Sequence, residues 1–329
     1  MGRWNWERTT AVLLLAPSVI AVAIFVYGFI AFTGYSSLSN WNTLVPDFTF
    51  VGFKNYQQLF AHPRFQIDMR NTFTFMILFL GGCLSIGFTL ALLLDQGIRG
   101  EGFFRGVFLF PMAISFIVTG VAWRWMLNPG TLTGGANGVN LLFESLGLDF
   151  LKWGWFTDPT VLHIHPESGL GQFMQSVGLG GLASPIFGMS VAIFSLVLAA
   201  TWQMSGYTMA MYLAGLRAIP DELREAARVD GATEWQIVRF VILPLLRPVT
   251  LAVVIILGHI SLKIYDLVVA MTGPGPGFAT DVPAFFMWET TFEANRFNRG
   301  AAIAIVLLVL VAFLIVPYLA RSTSTEAEL

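Results

Sequence analysis

Six apolar runs, separated by polar stretches of very unequal length, set the pattern of this chain. They are Ala11–Thr33, Phe73–Leu94, Val107–Trp123, Phe187–Leu216, Val249–Met271 and Ala301–Leu319. A helix crosses a bilayer with about 20 apolar residues, so each run predicts one membrane-spanning helix. The first run carries no charge and is too long for the roughly 7–15-residue core of a signal peptide, so it is read as a retained span. The fourth is longer than crossing requires and predicts tilt or an extramembrane end. The fifth is interrupted by Lys263 and Asp266. The pattern therefore predicts an all-α membrane protein with six transmembrane helices.

Composition agrees with the pattern. Of 329 residues, 56% are hydrophobic and 12% charged, against roughly 25% charged in soluble domains. Mean hydropathy is +0.71. The 30 Phe and 10 Trp suit lipid-facing and interfacial positions. A net charge of −2 with no basic stripe gives no reason to expect a nucleic-acid partner. Cys83, the one cysteine, cannot close an internal disulfide and reads as a small core residue.

Arginine placement orients the spans. The N-terminus, the 95–106 and 217–248 loops and the C-terminal tail hold ten basic residues: Arg3, Arg8, Arg99, Arg105, Arg217, Arg224, Arg228, Arg239, Arg247 and Arg321. The opposite segments, about twice as long, hold seven: Lys54, Arg64, Arg70, Arg124, Lys152, Arg296 and Arg299. The denser set faces the cytoplasm. The expectation is a multi-pass protein of the cell membrane with both termini inside. The loops 34–70 and 128–186 lie outside, the second beginning with the glycine-rich NPGTLTGGANGVN and including the glycine-rich Gly178–Pro185.

Between the fourth and fifth runs stands EAARVDGATEWQIVRFVILPLLRP, residues 225–248. It is charged and helix-forming. Asp221, Glu222 and Glu225 follow Pro220, where acidic groups favour a helix start. Gly231 can turn the chain, and Pro244 and Pro248 are expected to break the second helix. Small Ala226 and Ala227 let another surface approach closely. The pattern EAA-x2-DGA-x9-ILP, from Glu225, Ala226, Ala227, Asp230, Gly231 and Ala232 to Leu243 and Pro244, resembles the coupling loop of binding-protein-dependent ABC import permeases. FVGFKNY (Phe50–Tyr56), the stretch Leu94–Gly130 and the stretch His259–Met287 resemble sugar permeases of that group. LDQ-x-IR-x-EGF, WxWxLNPG and DLVVAMT are most similar to the glucose/mannose type. The stretch Asp158–Pro185 is longer than in that type.

Candidate chemistry lies in two spans. Trp202, Gln203, Ser205 and Tyr207 combine aromatic faces with amide and hydroxyl groups, which suits a polyhydroxylated ring but also suits packing. His259, Lys263 and Asp266 stand at i, i+4 and i+7 on one predicted helix face. Charges within a span mark a pathway, a structural ion pair or a proton relay. Thr201-Trp202 resembles the TW of maltose-type permeases, and Tyr207 falls on a tyrosine that contacts sugar there. Ala200 stands where that group has an asparagine, and Ser261 occupies another contact position, again without the asparagine. His163 and His165 with Glu167 are a weak metal signal.

No phosphate-binding G-x4-G-K-[ST] is possible, because glycine precedes none of the lysines, 54, 152 and 263. The chain is expected to be no enzyme and to need no cofactor. The resemblance implies a single permease domain over 1–329 working with a second homologous permease, two ATP-binding subunits and an extracytoplasmic sugar-binding protein, with glucose or mannose as cargo. The alternatives are the same importer for a disaccharide or another polyol, or an ATP-independent secondary transporter.

Overall fold

The apolar runs are largely helical in the computed structural model, which describes residues 6–130, 135–178, 184 and 188–326; the start of the fourth run is instead a short strand, Met189–Ser190, and its helix begins at Ile193. Arg3 and most of the Gly178–Pro185 stretch lie outside the described residues.

Helix α1 (Trp6–Val22) runs through a π-helical stretch, Ala23–Gly28, into α2 (Phe29–Ser37). Then come α3 (Lys54–Phe60), α4 (Pro63–Asp95), α5 (Glu101–Leu109) and α6 (Phe116–Met126). The long loop 128–186 forms α7 (Gly138–Ser145) and α8 (Gly169–Ser176). Two short antiparallel strands, β1 (Val161–Leu162) and β2 (Met189–Ser190), pair with Val161 opposite Ser190. After α9 (Ile193–Arg217) come α10 (Asp221–Val229), α11 (Glu234–Ile237), α12 (Leu243–Leu245) and α13 (Arg247–Leu262). The chain finishes with α14 (Asp266–Met271), α15 (Pro283–Trp288) and α16 (Phe297–Glu326).

Among the described residues, three helical segments are long and apolar enough to cross a membrane: Thr10–Ser37, Pro63–Asp95 and Phe297–Tyr318. Two bent pairs raise the number to as many as five. Glu101–Ala113 meets Phe116–Met126 at 98°, and Glu234–Leu245 meets Arg247–Leu262 at 66°. The run Val107–Trp123 is thus not one straight span. Pro111 sits in a 3-10 turn, Ile114 is extended, and the Ser115 hydroxyl caps a new helix by accepting from the Val118 N–H. The run Val249–Met271 is also broken: α13 ends at Leu262, and α14 restarts at Asp266 after a non-helical Tyr265. His259, Lys263 and Asp266 therefore do not share one continuous helix face.

One compact unit comprises residues 63–285 and 310–329. Its main seam is α4 against α9. Phe75, Phe79, Cys83, Gly87, Ala91 and Leu94 recur every three or four residues and form the buried stripe of α4. More than half of α9 is buried, so this helix, rich in small and hydroxyl residues, is covered by protein rather than lipid. The backbones nearly touch: a Cβ on Gly206 would overlap the Phe108 carbonyl oxygen, and one on Gly87 would lie 2.6 Å from the Thr208 side chain. Close approach through small residues replaces the hydrophobic drive that helix association lacks in lipid. At one end of the seam, Ala91 and Leu94 join Tyr212, Leu213 and Leu216, with Ile237, Ile242 and Leu246 closing the cluster.

The other unit comprises residues 1–62 and 286–309. The Asn55 amide donates to the carbonyls of Ser37 (2.9 Å) and Ser39 (2.8 Å) and accepts from Asn298 (3.1 Å). Trp41 stacks on Phe297 with ring centroids 4.6 Å apart. The most apolar stretch of Thr10–Ser37 buries nothing.

Candidate functional site

Helix α10 is charged, amphipathic and buries no residue completely. Pro220 starts it with φ −57°, and Asp221 and Glu222 fill the first turn. Its end is closed by two hydrogen bonds, Gly231 N–H to the Arg228 carbonyl and Ala232 N–H to the Ala227 carbonyl, both 3.0 Å. This is a Schellman turn, and it requires the left-handed conformation that Gly231 adopts at φ +84°. Thr233 then caps α11 in a reciprocal box with Gln236. Arg228 bridges the turn to Glu234 at 2.8 Å. That bond holds the Glu234 carboxyl below its ordinary pKa and raises that of Arg228.

The loop is anchored from behind and open in front. Arg224 reaches Asp95, the last residue of α4, at 2.7 Å, and also donates to the Leu216 carbonyl at 3.0 Å. Arg217 pairs with Glu101 at 2.6 Å. Ala227 and Ala232 pack against the cluster formed by Ile237, Ile242 and Leu246. Glu225, Ala226, Asp230 and Gly231 face outward, and Val229 (87% exposed), Trp235 (72%) and Phe240 (71%) give the front an apolar surface. Leu243 and Pro244 are half-buried in α12. The chain runs helically through Pro244 after a π turn, so the expected break falls two residues later, at Leu246–Arg247.

The span residues separate into two groups. Trp202 is 42% exposed and sets its edge against Trp123 of α6, centroids 5.9 Å apart. Tyr207 and Ser205 are half-buried, and the Ser205 hydroxyl donates to the Trp202 carbonyl at 3.4 Å. Gln203 is buried, and its amide donates at 2.6 Å to the carbonyl of Ile114, in the break between α5 and α6. Ser261 is buried and bonded to the Leu257 carbonyl at 2.8 Å. His259 is half-buried; Lys263 and Asp266 are exposed and flank the break between α13 and α14. Neither charge makes an ion pair with a described residue.

Several functional neighbours escape sequence reading. Asp95 and Trp123 stand in LDQ-x-IR-x-EGF and WxWxLNPG, but nothing in those motifs announces their partners Arg224 and Trp202, and Ile114 carries no motif of its own. The glycine-proline turn TGPGPG (Thr272–Gly277) resembles the turn that sugar permeases carry after the fifth span, but the clamp that holds the residues just after it to α4 has no sequence signal. Arg64 pairs with Asp281 at 2.5 Å and lies 4.6 Å over the Phe278 ring, and the Asn71 amide donates to the carbonyls of Phe278 (2.9 Å) and Asp281 (3.0 Å). Burial pushes the Asp281 carboxyl pKa up, and Arg64 opposes that shift. In the 128–186 loop a cleft of about 590 Å³ is lined by Asn140, Glu144, Lys152 and Trp153 among others. The His163 and His165 rings stand 4.6 Å apart, but no group of three potential metal ligands occurs among the described residues.

Comparison with known proteins gives this arrangement a family. The binding-protein-dependent transport system inner membrane component family matches residues 84–324. A probable ABC transporter permease of Pyrococcus horikoshii is 38% identical over 96% of this chain and 96% of its own. A xylose/arabinose import permease of Haloferax volcanii is 32% identical over 91% of this chain and 84% of its own. A trehalose/maltose transport system permease of Thermococcus litoralis is 28% identical over 95% and 93%. Among solved structures, a bacterial ABC transporter that imports alginate superposes with a TM-score of 0.70 at 21% identity, covering 96% of this chain and 98% of that one. The exposed loop between α9 and α13 thus sits in a chain that belongs to the family of binding-protein-dependent transport system inner membrane components.

Proposed function

We propose that this chain is the membrane-spanning permease subunit of an ATP-driven sugar importer, with glucose or mannose as its cargo. The observation that carries the reading is the loop from α10 to α12. Its front is exposed and apolar, its turn is fixed by Gly231, and its back is tied to α4 through Arg224 and Asp95. Such a loop can pass a push from a separate ATP-hydrolysing subunit directly into a long helix. The other partners in this reading are a second homologous permease, a second ATP-binding subunit and an extracytoplasmic binding protein. Both termini and the loop face the cytoplasm, and α9, the fourth span along the chain, brings the crossings to six.

The cargo is read from the span chemistry. Exposed Trp202 offers an aromatic face to the C–H side of a sugar ring, and Tyr207 and Ser205 offer hydroxyls. Lys263 is the only cation in the fifth apolar run, which disfavours phosphate esters. Relatives named for xylose/arabinose and for trehalose/maltose support a sugar as the class. Glucose or mannose rests on the wording of LDQ-x-IR-x-EGF, WxWxLNPG and DLVVAMT. The binding protein delivers sugar to an outward-open cavity, and ATP binding and hydrolysis shift the populations of outward- and inward-open states. The same importer carrying a disaccharide is the second reading, favoured by the trehalose/maltose relative.

The test is uptake of labelled glucose in cells with and without this chain, with mannose, maltose and trehalose as competitors and a parallel ATP-depleted sample. ATP-dependent uptake lost with the chain and competed by mannose alone supports the glucose/mannose cargo. Competition by maltose or trehalose transfers the cargo to a disaccharide. Uptake that survives ATP depletion contradicts the importer.

A further inference from the structure

The unit formed by residues 1–62 and 286–309 contains a slot that the transport reading does not use. It holds about 240 Å³ between α2 and the start of α16. Phe32, Ser36, Trp41, Phe297, Ala301 and Ala304 are among its walls. An apolar cavity of roughly 150 Å³ already takes a benzene-sized group, so this one accepts a longer apolar moiety.

Its two ends differ in chemistry. Ser36 lies in the last turn of α2, at one edge of the apolar stretch Thr10–Ser37. Trp41 follows it, and the Asn298 N–H donates to the Trp41 carbonyl at 2.7 Å, so the start of α16 stands at the same level. From Phe297 to Ala304 the helix descends about 10 Å, at roughly 1.5 Å per residue, and Phe32 lies about 6 Å below Ser36 on the same rise. The deep end is walled by Phe32 and by alanines at 301 and 304, and the hydroxyls of Thr33 and Thr291 that also line the slot are given to the carbonyls of Phe29 and Met287. The edge carries the polar atoms that remain.

Those polar atoms have no partner. The Ser36 hydroxyl and the Trp41 indole Nε1 are both buried, and neither has a hydrogen-bond partner among the described residues. Ser36 itself is 4% exposed. Trp41 is held still by Phe297 stacked on its face at 4.6 Å and by Phe48 at its edge at 5.3 Å. A buried, immobile N–H without an acceptor is costly to leave unmade.

We infer that this slot binds one chain of a membrane glycerolipid, with a glycerol-level ester or ether oxygen accepting from Trp41 Nε1 or Ser36 Oγ. The occupant follows from the gradient: an acceptor at the membrane edge and a slim apolar tail below it. An interfacial tryptophan stands at the depth where a glycerolipid changes from polar to apolar. A side chain from a neighbouring protein would fill the apolar end but has no reason to bring an acceptor to the edge.

The test uses the complete transporter in vesicles of phosphatidylethanolamine and phosphatidylglycerol containing a phosphatidylethanolamine with a photoreactive diazirine in one acyl chain. After illumination, label is mapped on peptides of this chain. Label concentrated on the 29–41 and 287–304 segments is expected. Ala304→Trp, which fills the deep end, should lower it at least tenfold, and Val309→Trp, on an exposed position outside the slot, should not. Trp41→Phe keeps the ring and removes the donor, so it should lower labelling about three- to tenfold, the worth of one neutral hydrogen bond, without loss of assembly. Label spread evenly along the apolar helices, or label unchanged in both Ala304→Trp and Trp41→Phe, overturns the proposal. So does a photoreactive residue at position 301 that joins the second permease and no lipid.

Discussion

Arg224, on the exposed helix α10, reaches back to Asp95, the final residue of α4, with Nη1 2.7 Å from Oδ2. Both side chains are mostly buried, at 16% and 13% exposure. Removing one partner of a fully buried pair costs about 3–5 kcal/mol, and partial exposure lowers that to about 1–3 kcal/mol. Asp95→Asn and Arg224→Met are each expected to lower ATP-driven uptake about tenfold while the complex still assembles. The swapped pair Asp95→Arg with Arg224→Asp should recover part of it. Uptake and assembly measured together on the same vesicles check this.

The faces packed on α9, α4 on one side and α5 on another, set a second expectation. Gly206→Ala would drive a methyl group into the Phe108 backbone, which cannot move without displacing α5. A loss of about 1–3 kcal/mol follows from overpacking, read as a lower melting temperature of the purified complex. Gly81→Ala is the control: on the same seam helix α4, nothing stands within 4 Å of the added carbon, so its melting temperature should match the parent.

The span residues should separate by readout. Gln203 gives its amide N–H to the Ile114 carbonyl at 2.6 Å, while its Oε1 is buried without a partner among the described residues, so Gln203→Ala should destabilise the bend between α5 and α6 and leave sugar preference alone. Lys263 is exposed and has no ion pair with a described residue, so Lys263→Met should leave the melting temperature unchanged and alter KM or sugar preference. Tyr207→Ala should weaken uptake while basal ATP hydrolysis survives. Competition curves and thermal melts on the three variants distinguish cargo contacts from scaffold.

The Arg228–Glu234 bridge gives a pH expectation. The pKa of Glu234 is lowered in the folded loop, chiefly by the Arg228 hydrogen bond. Its contribution to order is therefore fully present above the ordinary carboxylate range and is lost as pH falls through the lowered value. Between pH 6 and 8 the loop should not respond to pH. Protease sensitivity at Arg228 should rise only under acid conditions, and Glu234→Gln should abolish that step.

The loop from α10 to α12 was legible because charge, glycine and proline interrupt an otherwise apolar chain, and Gly231 adopts the positive φ that its position in DGA suggests. The six runs were legible as helices by length and apolarity. The two breaks were not. Nothing in Lys263-Ile264-Tyr265 forbids a helix, and Pro111 stands three residues before the bend at Ile114. Apolar runs encode how much chain lies in lipid, but not whether its axis is straight. Gln203 looked like a cargo contact by type. Its partner lies 89 residues away in sequence, and no local pattern announces such a bond. Asp95 and Asp281 were invisible for the same reason.

The most direct measurement is uptake by the complete transporter in vesicles with Gly231 replaced, set beside the ATP hydrolysis that the loaded binding protein stimulates. No atom lies within 4 Å of a Cβ at this position, so only backbone strain at φ +84° acts. Left-handed backbone costs an ordinary L-residue about 1–2 kcal/mol, and asparagine tolerates it better than a β-branched residue. Gly231→Asn should keep both activities near the parent. Gly231→Val should insert and assemble but lose uptake and stimulated hydrolysis together. Normal ATP-driven uptake by the Gly231→Val transporter would contradict coupling through this loop.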